Sequence, residues 1–416
     1  MISILGVKMI KLFSLGKLCI SDFVKNQDSA NELPVELDML LDEQTGMVRL
    51  GTIAPFNKMY GKYWYRSGIN TTMRNELKSI TESITNAIKL NENDVWLDIA
   101  CNDGTLLSYV PKNLLRIGID PADDSFVRES KNHANLIIQD YFNSKSFKNS
   151  KFGSLKAKVI TSIAMFYDLE HPETFLTDLY DILDDNGLWV LQLSYTPLML
   201  EQLAFDNICH EHIYYYSLTN IKNLLEKYNF SILDVQLNDI NGGSFRLYVK
   251  KKNTNPDFFG TKPYRDVCNF RINSILEYEK TLNLDKKETW INFYNRIEEL
   301  KEITVNFIKE EKKKGKKIWG YGASTKGNTL LQYFNLDNTL IDGIAERNID
   351  KFGLYTIGTN IPIFSENEMR EANPDYLLIL PWHFIDEFLK RESEFIKKGG
   401  KFIVPCPEFK VIGVDR

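Results

Sequence analysis

Two short apolar runs, Asp94 to Ile99 and Lys317 to Gly320, each end in a loop of small residues and pass into a helical pattern. A strand that feeds a tight loop and then a helix opens a doubly wound α/β domain, and this chain does so twice. After the first loop come apolar runs at Leu115 to Ile119, Lys158 to Ile163 and Leu188 to Leu193, with helix-like segments between them. Phe230 to Val235 and Ser244 to Lys250, joined through Asn241-Gly242-Gly243, read as an antiparallel pair that closes this sheet. After the second loop, Leu340 to Glu346, Tyr376 to Leu380 and Lys401 to Val404 supply strands of another sheet. At 416 residues the chain exceeds one ordinary core.

The expected fold is therefore α/β, with two Rossmann-like domains behind a small β-rich N-terminal module. The boundaries expected are 1–75, 76–250 and 251–416. The stretch Lys251 to Arg265, with Pro256, Gly260 and Pro263, reads as the linker. A long helix follows, with Trp290, Phe293, Ile297, Leu300, Val305 and Ile308 at helical spacing.

Composition removes several classes of function. The formal net charge is -5, so no global basic excess holds a nucleic-acid backbone. The five cysteines form no C-x-x-C pair, which argues against a zinc site or a disulfide framework and fits a reducing cytoplasm. The apolar N-terminus is interrupted by Lys8 and Lys11 and reads as a strand or hairpin, not an export signal. No apolar run reaches the ~20 residues that span a bilayer, so no membrane partner is expected.

The first loop, Asp98-Ile99-Ala100-Cys101-Asn102-Asp103-Gly104, has one glycine and no phosphate-loop lysine. A pyrophosphate fits it poorly, and an adenosine without phosphate fits better; S-adenosylmethionine is such a ligand. Asp98, Ala100, Asn102 and Gly104 would hold it. Asp120, at the end of the next strand, is placed to hydrogen-bond a ribose, and Asp140, Tyr141 and Phe142 follow in the same order of motifs. Upstream, Tyr60 to Gly68 is dense in aromatics; Tyr63, Tyr65 or Arg66 either caps a core or lines a ligand cleft.

In the second loop, Gly320 to Asn328, the small residues around Gly322 allow a phosphate to approach backbone N–H groups, and Ser324 and Lys326 add a hydroxyl and a cation. Glu346 ends the next strand, where a sugar hydroxyl could dock. The loop serves either a diphosphate or a nicotinamide dinucleotide, the second reading making the protein an oxidoreductase. Between the loops stands Cys209-His210-Glu211-His212, holding two of the five histidines, with Tyr214, Tyr215 and Tyr216 behind it. Imidazoles flanking a carboxylate are suited to moving protons near neutral pH.

Taken together, the D-I-x-x-N-D-G loop, His210-Glu211-His212 followed by Tyr215-Tyr216-Ser217, Gly242-Gly243-Ser244-Phe245-Arg246, the G-Y-G-A-S-x-K-G-N loop at Gly320 to Asn328 and Leu380-Pro381-Trp382-His383 resemble the S-adenosylmethionine-dependent C-methyltransferases of nucleotide-linked 4-keto-deoxysugars. The resemblance covers nearly the whole chain. It implies a small N-terminal module, a central methyltransferase domain and a C-terminal domain that binds the nucleotide sugar, with Ser324, Lys326, Asn328, Glu346 and Trp382 as substrate-binding positions.

The same resemblance makes His212 the base that removes a proton next to the ketone. Glu211 is then expected to orient an imidazole or hold a sugar hydroxyl, and His210 or one of Tyr214 to Tyr216, Tyr215 among them, to polarise the ketone. Tyr65 is a further candidate. Methylation of a sugar oxygen is the alternative that uses the same base. The family's N-terminal module usually binds zinc through cysteine pairs. Asp42 to Gly46 here reads Asp-Glu-Gln-Thr-Gly, so no zinc is expected, and Cys209 stands where family members often have tyrosine.

Overall fold

The computed structural model describes residues 2–4, 7–25, 34–56, 59, 64–254 and 262–413. Tyr63, Pro256 and Gly260, named above for the aromatic stretch and the linker, lie outside them. The chain forms two units, and both are discontinuous in sequence. One comprises Tyr60–Pro197 and Ile213–Leu284; the other comprises Met1–Met59, Leu198–His212 and Asp285–Arg416. This division cuts across the three consecutive stretches expected. The first unit runs past the anticipated linker because the helix Lys262–Leu282 belongs to it. Glu279 on that helix is buried and accepts hydrogen bonds from Tyr195 Oη and from the N–H groups of Leu218 and Thr219.

The first unit is built on a seven-stranded sheet in the order Phe230–Asn238, Ser244–Lys251, Leu183–Ser194, Ala157–Ile163, Val95–Ile99, Leu115–Ile119, Leu136–Ile138. The last five are parallel, and Ser244–Lys251 runs antiparallel to both its neighbours. All five residues of Val95–Ile99 are buried, the pattern of a central strand covered on both faces. The helix Thr71–Ala87 buries Met73, Leu77, Ile80, Thr81, Ile84 and Ala87, one stripe at helical spacing, and Asn70 caps it by accepting from Thr72 and Met73 N–H.

The second unit holds a six-stranded sheet in the order Ile363–Ser365, Ile344–Glu346, Ile318–Tyr321, Tyr376–Ile379, Lys401–Val404, Lys410–Ile412, parallel except for the last strand. The expected strand from Leu340 is shorter than its apolar run and begins at Ile344. The long helix is Lys287–Lys313, and it buries Trp290, Phe293, Ile297, Leu300, Thr304 and Ile308. The N-terminal strands Val7–Leu18 and Val35–Asp42 pair antiparallel. They belong to this unit because Cys19 N–H donates to Gln332 Oε1 and Gln332 Nε2 donates back to Cys19 C=O. Asn328 Nδ2 likewise donates to Asp22 C=O.

Candidate active site

In the first unit, the loop after Val95–Ile99 is strained. Ala100 and Asn102 take φ of 60° and 52°, a left-handed conformation that costs roughly 1–2 kcal/mol per non-glycine residue. Such strain gathers at ligand loops. Gly104 is also left-handed (φ 79°), and a Cβ there would stand 2.8 Å from Ser130 Cα. The helix that follows, Thr105–Tyr109, is only five residues long, so the recognisable ligand group is a carboxylate, not a helix end. Asp120 Oδ2 accepts Asn102 N–H at 2.7 Å and Oδ1 accepts Ala122 N–H at 2.8 Å. Each oxygen has a second acceptor direction, and burial raises the carboxyl's pKa. This arrangement fits the two hydroxyls of a ribose at the end of the second parallel strand.

Asp98 does not fit a ligand-facing role. It is buried, its Oδ1 accepts Thr161 Oγ at 2.6 Å, and burial lifts its pKa to about 7, with Asp120 and Asp103 adding to the rise. It braces the loop from inside, because its residue precedes the turn and points into the sheet packing. Arg66 is also reassigned. Its guanidinium donates to Glu129 Oε2 (2.8 Å) and Ser125 Oγ (2.7 Å) and lies 4.0 Å above the Phe126 ring.

Arg66 thereby fastens a segment that covers the loop: Ser67 N–H donates to Asn102 Oδ1, Gly68 N–H to Asp103 Oδ2, and Asn102 Nδ2 to Tyr65 C=O. Tyr65 itself stays 37% exposed beside that loop. Asp140 takes the N–H of Tyr141, whose side chain is exposed, and the Phe142 ring packs edge-on to Phe175 at 4.9 Å.

The His-Glu-His segment lies in the second unit. Phe205, in the short 3-10 turn Phe205–Asn207, stacks on Phe334 at 5.2 Å and so pins the chain ahead of it. His212 is buried, and its Nδ1 stands 2.9 Å from Asn207 C=O. A carbonyl can only accept, so the proton is on Nδ1 and Nε2 carries a lone pair. Burial and then the charge of Lys326 hold the pKa of His212 well below the usual histidine value. The imidazole is therefore neutral and in the tautomer of a base.

His210 is not placed to polarise a ketone. It is buried, and Nε2 donates to Val35 C=O at 3.2 Å, which ties the turn to an N-terminal strand. The Cys209 thiol is buried and bonds to Glu211. The Glu211 carboxyl is pushed up by burial, against the pull of Cys209 and Lys326. Tyr215 is buried in the other unit, in the two-residue strand Tyr214–Tyr215.

The second glycine loop follows Ile318–Tyr321. Gly322 has φ 83°, and a Cβ there would meet Pro381 Cγ at 2.7 Å. Ser324 caps the helix Thr325–Tyr333 by accepting Gly327 N–H at 2.9 Å, so its hydroxyl already has a structural use. Glu346 is similarly engaged: Oε1 takes Arg347 and Asn348 N–H, and Oε2 faces buried Lys351 at 3.8 Å. Lys351 Nζ in turn donates to Ala323 C=O in the loop.

Trp382, expected against the sugar, is buried and donates from Nε1 to Asp206 Oδ2 at 3.1 Å. Lys326, expected over a phosphate, donates to Asn207 Oδ1. Asn328 keeps Oδ1 buried without a hydrogen-bond partner.

Lys326 thus belongs to a cluster with Asp206, Asn207, Glu211, His212 and His383. Its charge acts on Asp206, Glu211, His212 and His383 alike. His383 is pushed down to about 3, by burial first and Lys326 second. Asp206 and Asn207 were not singled out from sequence, and His383 was named only as the end of the Leu380 to His383 motif; a carboxylate and an amide just ahead of the His-Glu-His motif were the available signal.

Comparison with known proteins bears on both units. Residues 70–235 match a methyltransferase domain, and residues 239–407 match a C-methyltransferase C-terminal domain. The C-methyltransferase NovU of Streptomyces niveus is 24% identical over 389 residues, covering 93% of this chain and 90% of that protein. Among solved structures, the plantazolicin methyltransferase BpumL in complex with SAH aligns at 15% identity, covering 42% of this chain and 82% of that one, with a TM-score of 0.34. Magnesium protoporphyrin IX methyltransferase from Synechocystis PCC 6803 with bound SAH aligns at 13% identity over 44% and 89%, with the same score. Among the described residues, no helix is long and apolar enough to cross a membrane.

Proposed function

We propose that this chain, an S-adenosylmethionine-dependent methyltransferase of the C-methyltransferase family, methylates a carbon next to the ketone of a nucleotide-linked deoxysugar, with His212 as the base. The observation that carries this reading is the neutral His212, fixed by Asn207 C=O in the tautomer that leaves Nε2 as acceptor.

A saturated sugar carbon is no nucleophile; an enolate carbon is. His212 Nε2 takes the proton α to the ketone. The C–H pair becomes a carbon–carbon double bond, and the carbonyl π pair moves to oxygen. The ketone then re-forms as the α-carbon attacks a sulfonium methyl group. The new C–C bond forms while the C–S bond breaks with its electron pair going to sulfur. S-adenosylmethionine, when bound, would supply that electrophilic methyl, with its neutral thioether as the leaving group. The buried imidazolium passes its proton to solvent. Near-attack positioning and charge stabilisation supply the rate, as in other proton abstractions.

Asp120 supports the cofactor part of this reading, and the C-methyltransferase match over residues 239–407 supports carbon over oxygen as the acceptor. The nucleotide sugar rests on the resemblance of the motifs. The test is His212→Ala against a panel of nucleotide-linked 4-keto-6-deoxysugars, with product carbon assigned by NMR. Turnover should vanish while S-adenosylhomocysteine binding by calorimetry stays within about threefold. A variant that still turns over removes His212 from the role. A product methylated on oxygen removes the enolate.

A further inference from the structure

An enolate is an anion formed away from bulk water, and it needs a positive partner at its oxygen. We propose that the Lys326 ammonium is that partner, a role that rests on the reading of His212 as base. Lys326 and His212 are held by the same residue: Asn207 takes Lys326 Nζ on its side-chain oxygen and His212 Nδ1 on its backbone oxygen. Base and cation are thus set by one amide, although 119 residues separate Lys326 from Asn207 in sequence.

The other donors of this cluster have different work. His210 Nε2 is buried on Val35 C=O. The Cys209 thiol is buried on Glu211. Trp382 Nε1 is buried on Asp206, and Lys351 Nζ is buried on Ala323 C=O. Lys326, by contrast, is only partly buried, on the second residue of the helix Thr325–Tyr333.

The charge has two effects on the reaction. Proton transfer turns a neutral C–H and a neutral imidazole into an enolate and an imidazolium. Lys326 opposes the imidazolium, which is why it lowers the pKa of His212, and favours the enolate. The balance is catalytic when the ketone oxygen sits closer to Nζ than the imidazole does. Asp206, Glu211, His210 and His383 are the other titratable groups around it. The two carboxyls have raised pKa values and the two histidines lowered ones, so each is shifted toward its neutral form.

The test separates the half-reaction from methyl transfer. With S-adenosylhomocysteine bound, the enzyme is mixed with thymidine-diphospho-4-keto-6-deoxyglucose and three related 4-ketosugars in D2O, and exchange at the α-carbon is followed by NMR. Lys326→Gln keeps a donor for Asn207 and removes the charge. It should slow exchange and kcat by about 100-fold or more, with KM for the sugar changed less than about threefold. Lys326→Arg should recover most of the loss. Circular dichroism and S-adenosylhomocysteine affinity identify any folding defect in Lys326→Gln; in that event the decision passes to Lys326→Arg, where a loss as large as that of His212→Ala overturns the proposal. Exchange by Lys326→Gln at the wild-type rate also overturns it, as does a raised KM with unchanged kcat, which marks a binding cation. Wild-type enzyme that exchanges no proton on any of the four sugars overturns the enolate reading itself.

Discussion

His212 donates its Nδ1 proton to the backbone carbonyl of Asn207 across 2.9 Å, and nothing in the Asn207 side chain is needed for that bond. The side chain is left to hold Lys326. Tautomer and charge environment are therefore set by different atoms of one residue, and they are separable by mutation.

The acid limb of kcat/KM should lie below the ordinary histidine range, because the folded-state pKa of His212 is depressed by burial and by Lys326. A base works deprotonated, so activity holds until pH falls through that lowered value. Lys326→Gln removes the cation and should move the limb to higher pH. A stability effect has the same sign. The unfolded chain binds the proton first, so stability falls as pH drops below about 6.5. Stopped-flow pH profiles and urea titrations at pH 5.5 and 7.5 measure the two.

Asp98 should make the methyltransferase unit less stable as pH rises. Its folded pKa of about 7 stands well above the ordinary aspartate value, so between them the native state holds a proton that the unfolded chain has lost. Its contribution is complete below about pH 4 and is lost as pH rises through about 7. Asp98→Asn should flatten this slope in thermal melts between pH 5 and 8. An unchanged slope would assign it to other groups.

Trp382→Phe should cost about 1–3 kcal/mol in stability. It removes the Nε1–H donor from Asp206 Oδ2, and Oδ1 of the same buried carboxyl already has no hydrogen-bond partner. Adding Asp206→Leu to Trp382→Phe removes the stranded polar group and should recover part of the loss. Denaturant unfolding of the four members of the cycle gives the coupling.

Gly104→Ala should lower both stability and cofactor affinity. The left-handed φ costs roughly 1–2 kcal/mol for an L side chain, and the added carbon meets Ser130 Cα at 2.8 Å, which is main chain and cannot rotate away. Calorimetry with S-adenosylhomocysteine should show weaker binding than for the wild type. Equal affinity would mean the loop relaxes without touching the ligand site.

The strands and the two loops were legible because each pairs an apolar run with small turn residues, a local signal. The His210-Glu211-His212 segment stood out because histidines are few and its motif is specific. Side-chain partners were not legible. Arg66 and Glu129 are 63 residues apart, and Trp382 and Asp206 are 176 apart, so no spacing rule connects them. For the same reason Ser324 and Glu346 read as ligand groups. Their hydroxyl and carboxylate suit a sugar, but each is spent on a nearby backbone N–H. The compact units differ from the consecutive stretches because sequence reading divides a chain at linkers, while packing groups Leu198–His212 with the unit opposite their neighbours.

That last feature bears on the order in which the protein is made. Translation from the N-terminus delivers every stretch of the methyltransferase unit by Leu284. The unit that carries His212 still lacks Lys326, the strand Ile318–Tyr321 and the helix that binds Cys19 through Gln332. Its N-terminal strands must wait, unpartnered along that edge, while about three hundred residues between Cys19 and Gln332 emerge at roughly 5–20 per second. The proposed cofactor site first and the proposed proton-transfer site last is thus the order that the connectivity sets. Truncated nascent chains ending shortly after Leu284 should bind S-adenosylhomocysteine before any of them exchanges a sugar proton.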